Sequence, residues 1–319
     1  MRRITRNSRC ITPALVLAAI AGPAAAVENG AGMYILGSRT SGAGMVAPAG
    51  TYTQQSYYAY SGDISGEIPN GGRLEVGVDG SAFIGLSSVL WSLESEPVLG
   101  GQPYVSFTLP YGYKKSEVDA TLNAPGGDVL TGSKSSDSFL FGDPVLGAGL
   151  GWGQGPFYAS LNMLINVPVG DYEKGRSTNV AFNHWAYDFT GGLTWMNADT
   201  GWQANFAAGV TFNDMNDDTN YESGDELHLE AAIGKTLNPN LTLSLQGYYY
   251  KQISGDSGSG ALLGEFKGEV TGLGPAVAWN SDWNGTPLAF EARWFHEFDA
   301  TNRLEGDAVL FNLMIPLGG

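Results

Sequence analysis

Three histidines, His184, His228 and His296, are the side chains best suited to acid–base or metal chemistry, and none stands at metal-ligand spacing from another. Zinc sites also draw on thiolates, and the one cysteine, Cys10, lies in a leader-like start. Gly255-Asp256-Ser257-Gly258 imitates a fragment of a serine-protease motif. It lacks the G-x-S-x-G elbow and a neighbouring His motif, so it reads as a Gly/Ser-rich loop. A Ser–His pair built from Ser223 with His228 or His184 would suit a lipid-modifying enzyme; hydrogen bonding to neighbouring loops is the plainer role for these histidines. The densest run of oxygen ligands is Asp214, Asn216, Asp217, Asp218, Asn220, Glu222, Asp225 and Glu226. Calcium takes six to eight such oxygens, but Thr219 stands where the EF-hand order needs Gly. Asp214, Asp217, Asp218 and Asp225 are therefore weak metal candidates. The same loop reads equally as a solvated acidic surface, or as one bridged by divalent cations to lipopolysaccharide phosphates. No catalytic residue and no cofactor are expected.

Binding is the stronger theme. Tyr57, Tyr58 and Tyr60 form one aromatic group, and Tyr248, Tyr249 and Tyr250 another. Alternation along an extended chain sends one or two of each group to one face and the rest to the other. Tyr58, Tyr60 and Tyr248 are thus candidates to line an interior, with Tyr34, Glu226, His228, Glu291 and Arg293. Glu291 and Arg293 have opposite signs and are expected to narrow that interior by pairing across it.

The elements that would position these residues are strands. Of 319 residues, 46 are Gly and 12% are aromatic, while only 15% are charged. Disordered chains have the opposite bias, and no apolar run reaches the roughly 18–20 residues of a membrane helix. Period-two alternation recurs from about Thr51 onward. Trp202, Ala204, Phe206, Ala208, Val210 and Phe212 oppose Gln203, Asn205, Gly209 and Thr211, and similar runs follow to the C-terminus. The gaps alternate short and long, as the turns and outer loops of a transmembrane β-barrel do. Twelve strands are expected, near 51–61, 73–93, 102–113, 139–152, 156–168, 184–197, 200–213, 225–237, 240–253, 266–280, 286–298 and 305–317. The fold class is all-β: a transmembrane antiparallel barrel (residues 51–319) with a short N-terminal plug-like segment. Charges inside strands, such as Asp188, Glu226, Glu230, Glu291 and Arg293, suit a wet lumen and would be costly in a sandwich core.

Residues 1–26 read as a signal peptide: Arg2, Arg3, Arg6 and Arg9, then an apolar stretch from Ile11 to Ile20, then Ala24-Ala25-Ala26. Its removal takes four of the 16 basic residues and leaves 12 against 32 acidic ones, a net of −20. That balance disfavours nucleic-acid partners. Residues 27–50 carry Met33-Tyr34-Ile35-Leu36 among glycines; they read as a loose periplasmic tail or, given that apolar unit, as a plug folded into the barrel mouth, which is the preferred reading.

Several short motifs occur together: Phe141-Gly142-Asp143-Pro144, Gly151-Trp152, Val167-Pro168-Val169-Gly170-Asp171-Tyr172, Asn183-His184-Trp185, Tyr221-Glu222-Ser223-Gly224-Asp225-Glu226-Leu227-His228, and upstream Tyr34-Ile35-Leu36-Gly37-Ser38 with Pro48-Ala49-Gly50-Thr51-Tyr52. As a set they resemble the meta-pathway of phenol degradation family of outer-membrane proteins. The resemblance implies an outer-membrane uptake channel for small hydrophobic or aromatic solutes, set in outer-membrane lipid and lipopolysaccharide. It carries no catalytic residues over. One departure from barrels in general is the end, Leu317-Gly318-Gly319, where many have an aromatic residue. The competing readings are a lipid-modifying enzyme and a structural or adhesive barrel whose acidic loops bind cations.

Overall fold

The computed structural model describes residues 32–69, 73–123, 129–261, 264–265 and 267–317. The expected signal peptide, and residues 27–31 of the expected plug, lie outside the described residues. The strands are β1 (Gly50–Pro69), β2 (Arg73–Ser92), β3 (Gln102–Asn123), β4 (Val129–Phe141), β5 (Val145–Gln154), β6 (Phe157–Asn166), β7 (Ala186–Met196), β8 (Trp202–Asn213), β9 (Glu226–Asn238), β10 (Leu241–Gln252), β11 (Glu269–Trp283), β12 (Thr286–Thr301) and β13 (Glu305–Pro316).

Twelve of these close an antiparallel barrel, and β4 is the extra strand. The seam is β1 against β13, in register from Tyr52↔Pro316 to Asp63↔Glu305. Closure leaves no free sheet edge in the wall, which a lipid environment demands. The short β5–β6, β7–β8, β9–β10 and β11–β12 turns gather at one end, the periplasmic end by the usual loop asymmetry. The β2–β3 connection lies at that end too, whereas the β6–β7, β8–β9 and β10–β11 connections and the β12–β13 turn lie at the other.

Two sequence expectations are corrected. The strand expected over 139–152 is two strands. β3 pairs with β5 from Gln102↔Gly151 to Thr108↔Val145, and then with β4 from Tyr111↔Phe141 to Asn123↔Val129. β4 and β5 share one wall position, interrupted at Gly142-Asp143-Pro144, where Pro144 has no N–H to give a ladder. The loops expected over 61–72 and 114–138 are largely strand. β1 and β2 stay in register out to Pro69↔Arg73, and β3 and β4 continue as a hairpin. These outer portions are rich in Gly, Ser, Asp and Lys on both sides, so they lack the apolar–polar contrast that marks a strand within lipid.

Alternation sorts the remaining side chains. Phe189, Leu193, Phe206, Phe212, Ile233, Leu245, Leu273, Trp279, Trp294 and Phe311 face outward and are exposed, as a lipid-facing band requires. Asp188, Thr190, Thr194, Asn205, Thr211, Glu226, His228, Glu230, Gln246, Arg293 and Glu297 face inward and are buried. In the strand expected near 266–280 the register shifts between Glu269 and Thr271, and Lys267 falls before β11. The extra residue is on β12, so alternation along β11 is unbroken: Leu273, Val277 and Trp279 share the outer face with Glu269, which is held there by Tyr249 and Lys251.

Glycine has a spatial use in this wall. Tyr104 of β3 lies over Gly149 of β5 and reaches Asn162 of β6. His228 of β9 lies over Gly209 of β8 and reaches Asp188 of β7. Tyr248 of β10 lies over Gly272 of β11 and reaches Glu297 of β12. In each case the middle strand has no side chain at the crossing, so a long inward residue spans two strands.

Candidate functional site

Residues 32–49 thread the lumen, and the barrel wall is built to receive them. At the outer end, a Cβ on Gly32 would collide with the Glu226 carboxylate. Next, the Tyr34 ring stacks on His228, with centroids 3.5 Å apart and planes 16° from parallel. His228 Nε2 is held 2.7 Å from Asp188 Oδ2, and Asp188 also accepts hydrogen bonds from Thr190 and Thr211. One carboxylate thereby fixes the imidazole on which Tyr34 rests.

The centre of the segment is gripped by charge. The backbone N–H groups of Gly37 and Arg39 each donate to a different oxygen of Glu230, both at 2.7 Å. Arg293 Nη1 donates to the carbonyls of Gly37 and Ser38, both at 2.6 Å, while its Nη2 donates to Glu291 at 2.5 Å. A carboxylate thus binds amides, and a guanidinium binds carbonyls, on one turn of chain. Charge-assisted bonds of this kind are about twice as strong as neutral ones. Glu230 is 1% exposed and Arg293 4%, so both depend on these partners. Gly37 has φ +79, and a Cβ there would lie 2.5 Å from the Phe295 ring, so glycine is required on both counts.

Below this the contacts are neutral. Thr40 Oγ1 donates to Gln246 at 2.5 Å, Ser160 Oγ to the Ala43 carbonyl at 2.8 Å, and Ser92 Oγ to the Ala47 carbonyl at 2.8 Å. Gly44 N–H donates to Thr194 Oγ1 at 3.0 Å. A Cβ on Gly192 would lie 2.0 Å from the Ala43 carbonyl oxygen, so that wall position must also be empty.

Beside the upper part of the segment lies an aromatic cluster of Tyr34, Leu36, Tyr248, Tyr250, Val270, Phe295, Ala308 and Leu310, with Tyr58 and Tyr60 packed against it. Glu297, 1% exposed, accepts from the Tyr60 hydroxyl at 2.7 Å and the Tyr248 hydroxyl at 2.8 Å.

The structure therefore brings Tyr34, Tyr58, Tyr60, Glu226, His228, Tyr248, Glu291 and Arg293 around one segment. Glu226, at the outer end of β9, accepts from Asn213. Tyr57 and Tyr249 face the other way; Tyr57 stacks on Phe83 outside the wall. One expectation is corrected: Glu291 and Arg293 pair along β12 itself, and the free side of Arg293 binds the Gly37 and Ser38 carbonyls rather than the opposite wall. Sequence reasoning left out Asp188 and Glu230 as site residues, although both were legible as inward charges. It missed Gln246, Glu297 and Phe295, whose partners lie two strands away or on the plug.

The acidic loop is not gathered into a site. Among the described residues, no group of three His, Cys, Asp or Glu side chains could hold a metal ion. Asp218 instead accepts from Asn183, and Asp225 N–H donates to Ser254. His184 contacts the Phe182 carbonyl and Asn213. The Asp256 of the protease-like fragment is a tie between loops, accepting from the Tyr221 hydroxyl, Gly224 N–H and Gln252. Burial raises its pKa, against the lowering effect of these hydrogen bonds.

The same barrel is found in solved structures. The COG4313 outer membrane channel from Pseudomonas putida F1 superposes with a TM-score of 0.67 at 14% identity, over 89% of this chain and 100% of that one. That likeness shows the fold of an outer-membrane β-barrel. The β domain of the Bordetella autotransporter BrkA aligns more loosely, with a TM-score of 0.44 at 13% identity over 85% of this chain and 100% of that one. The CymD monoaromatic hydrocarbon channel gives 0.42 at 8% identity, over 86% and 90%. No curated protein matches the sequence. The family model described as the MetA-pathway of phenol degradation matches residues 62–313, and the chain belongs to that family.

Proposed function

We propose that this outer-membrane barrel is a passive channel for small hydrophobic and aromatic compounds of the phenol type. The observation that carries this reading is the aromatic cluster inside the lumen. Tyr58, Tyr60, Tyr248, Tyr250 and Phe295 face inward, where a channel for polar solutes would present polar groups. Ligand sites for apolar molecules combine such surface with a few placed polar groups, and Glu297 and the tyrosine hydroxyls supply those. Family membership points the same way, and the COG4313 protein of the same fold is an outer membrane channel. With a net charge of −16 over the full chain, anions are repelled from the lumen and neutral solutes are admitted. No chemistry is assigned: His228 is committed to Asp188 and covered by Tyr34, which leaves it no access to a lipid ester.

The plug residues 32–49 define the resting state, and solute must move them or pass beside them. The test is uptake of labelled phenol at low concentration by cells with intact lipopolysaccharide, comparing a deletion strain with its complemented form. Complementation should restore uptake several-fold, and benzoate, similar in size but anionic, should gain much less. Equal phenol uptake with and without the protein would overturn the reading.

A further inference from the structure

The turn joining β12 to β13 folds over the outer mouth of the lumen. Asp299 and Asn302 adopt φ of 56 and 51 there, a region that short polar side chains tolerate. Asn302 donates to the Lys267 carbonyl at 3.1 Å, tying the turn to the loop before β11. Leu304 reaches across β1 so closely that a Cβ on Gly80 of β2 would lie 2.7 Å from it. Between these ties stands Arg303, whose guanidinium carbon sits 4.4 Å from the centre of the Tyr250 ring. Tyr58, Tyr60 and Glu297 are near enough to act on it electrostatically. Among the described residues, no carboxylate forms an ion pair with Arg303. Its hold on the cage is the face of a ring, aided at longer range by the charge of Glu297.

A second observation points to a ligand. Tyr250 is 2% exposed, and its hydroxyl faces the Glu226 carboxylate without a well-formed hydrogen bond. A buried hydroxyl left poorly paired costs free energy. The hydroxyls of Tyr60 and Tyr248, by contrast, are both satisfied by Glu297. The cage therefore offers a flat aromatic face occupied by a flat cation and, at its edge, one poorly paired hydroxyl beside the Glu226 carboxylate.

We infer that the Tyr58–Tyr60–Tyr250 cage is an outer binding site for planar hydroxylated aromatic solutes, and that Arg303 is its resident occupant, displaced when a solute stacks on Tyr250. This deepens the transport reading and rests on it. A guanidinium and an arene are both planar and stack on the same ring face, so the two exclude each other. The solute hydroxyl takes the place opposite the Tyr250 hydroxyl, which rewards phenols over plain arenes. Arg303 then sets the threshold: a solute weaker than its own stacking does not enter.

The experiment is a 19F NMR titration of the full-length folded barrel in detergent with 4-fluorophenol, using 4-fluorocyclohexanol as the non-planar control. The unboiled gel shift confirms folding of each variant. Arg303→Ala should bind 4-fluorophenol about 5-fold more tightly than the wild type, because a cation–π contact of ordinary strength no longer competes. Arg303→Ala combined with Tyr250→Leu should lose that gain, and 4-fluorocyclohexanol should be indifferent to both changes. Unchanged or weaker binding in Arg303→Ala overturns the proposal, as does an equal gain for 4-fluorocyclohexanol. Should cellular phenol uptake stand while Arg303→Ala binds no better, the gate fails and the channel survives. Should uptake fail while Arg303→Ala still gains affinity, the cage stands as a site and the channel reading falls.

Discussion

The two sides of the lumen hold the plug differently. On the β9–β12 side, Glu230 and Arg293 are buried charges that each bind two backbone groups of residues 37–39, and His228 adds a stacked ring. On the β2–β6 side the contacts are hydroxyls on carbonyls, Ser92 with Ala47 and Ser160 with Ala43, and the bond from Arg39 to Tyr104 is long at 3.4 Å. That second side also contains the interrupted wall position of β4 and β5. The charged side fixes register, since a desolvated charge tolerates no substitute partner. The neutral side excludes water but yields at small cost. A solute that slips past a seated plug is expected to do so along β2–β6.

The largest effect should come from the charged side. Glu230→Ala leaves the amides of Gly37 and Arg39 without their acceptor, while Arg293 keeps Glu291. Losing two charge-assisted hydrogen bonds in this way costs about 3–5 kcal/mol. The barrel keeps its strand pairing, so the loss appears as release of the plug. Single-channel conductance should rise several-fold while the unboiled gel shift persists. Unchanged conductance would mean that the plug is held by shape alone.

A similar but separate effect belongs to the interrupted strand. Asp143 is buried and accepts from Gly170 N–H, Phe182 N–H, Asn183 N–H and the Asn166 side chain. It pins the 167–184 connection to the gap that the strand break opens. Asp143→Ala should cost about 3 kcal/mol, the scale of a charge-assisted hydrogen bond with its donors left unpaired. Limited proteolysis should then cut within 167–184, with conductance little changed. A large rise in conductance would show that the two sides of the wall are coupled. Smaller still is overpacking from the wall: Gly192→Val drives a methyl into the Ala43 carbonyl, at about 1–3 kcal/mol. It should unseat the lower plug and raise conductance less than Glu230→Ala does.

The sequence reveals the barrel better than it reveals the site, and the reason is physical. Phe206, Ala204 and Trp202 alternate with Asn205 and Gln203 because lipid lies on one side and water on the other, and that contrast is local. It vanishes where β1–β4 rise beyond the lipid, so those strands read as loops. The site depends on non-local crossings. Tyr248 meets Glu297 only because Gly272 is empty between them, and Glu230 meets Gly37 across 193 positions of chain. Inward charge was visible for each residue singly; the partner was not. Arg303 gave no signal at all, being one basic residue in an outer turn.

The smallest change is the one that judges the comparison most directly. Ser92→Ala removes a single hydroxyl from the Ala47 carbonyl, on the neutral side and near the point where the plug enters β1. A neutral hydrogen bond contributes about 1 kcal/mol net, and this carbonyl sits close to the periplasmic mouth, where water can replace the lost donor. Glu230 and Arg293 still hold residues 37–39 in the mutant, so the plug should stay seated and conductance should match the wild type within error. Conductance in Ser92→Ala as high as in Glu230→Ala would place the hold on the plug at its base. The buried charges would then serve only to balance one another, and the asymmetry between the two walls would have no bearing on passage.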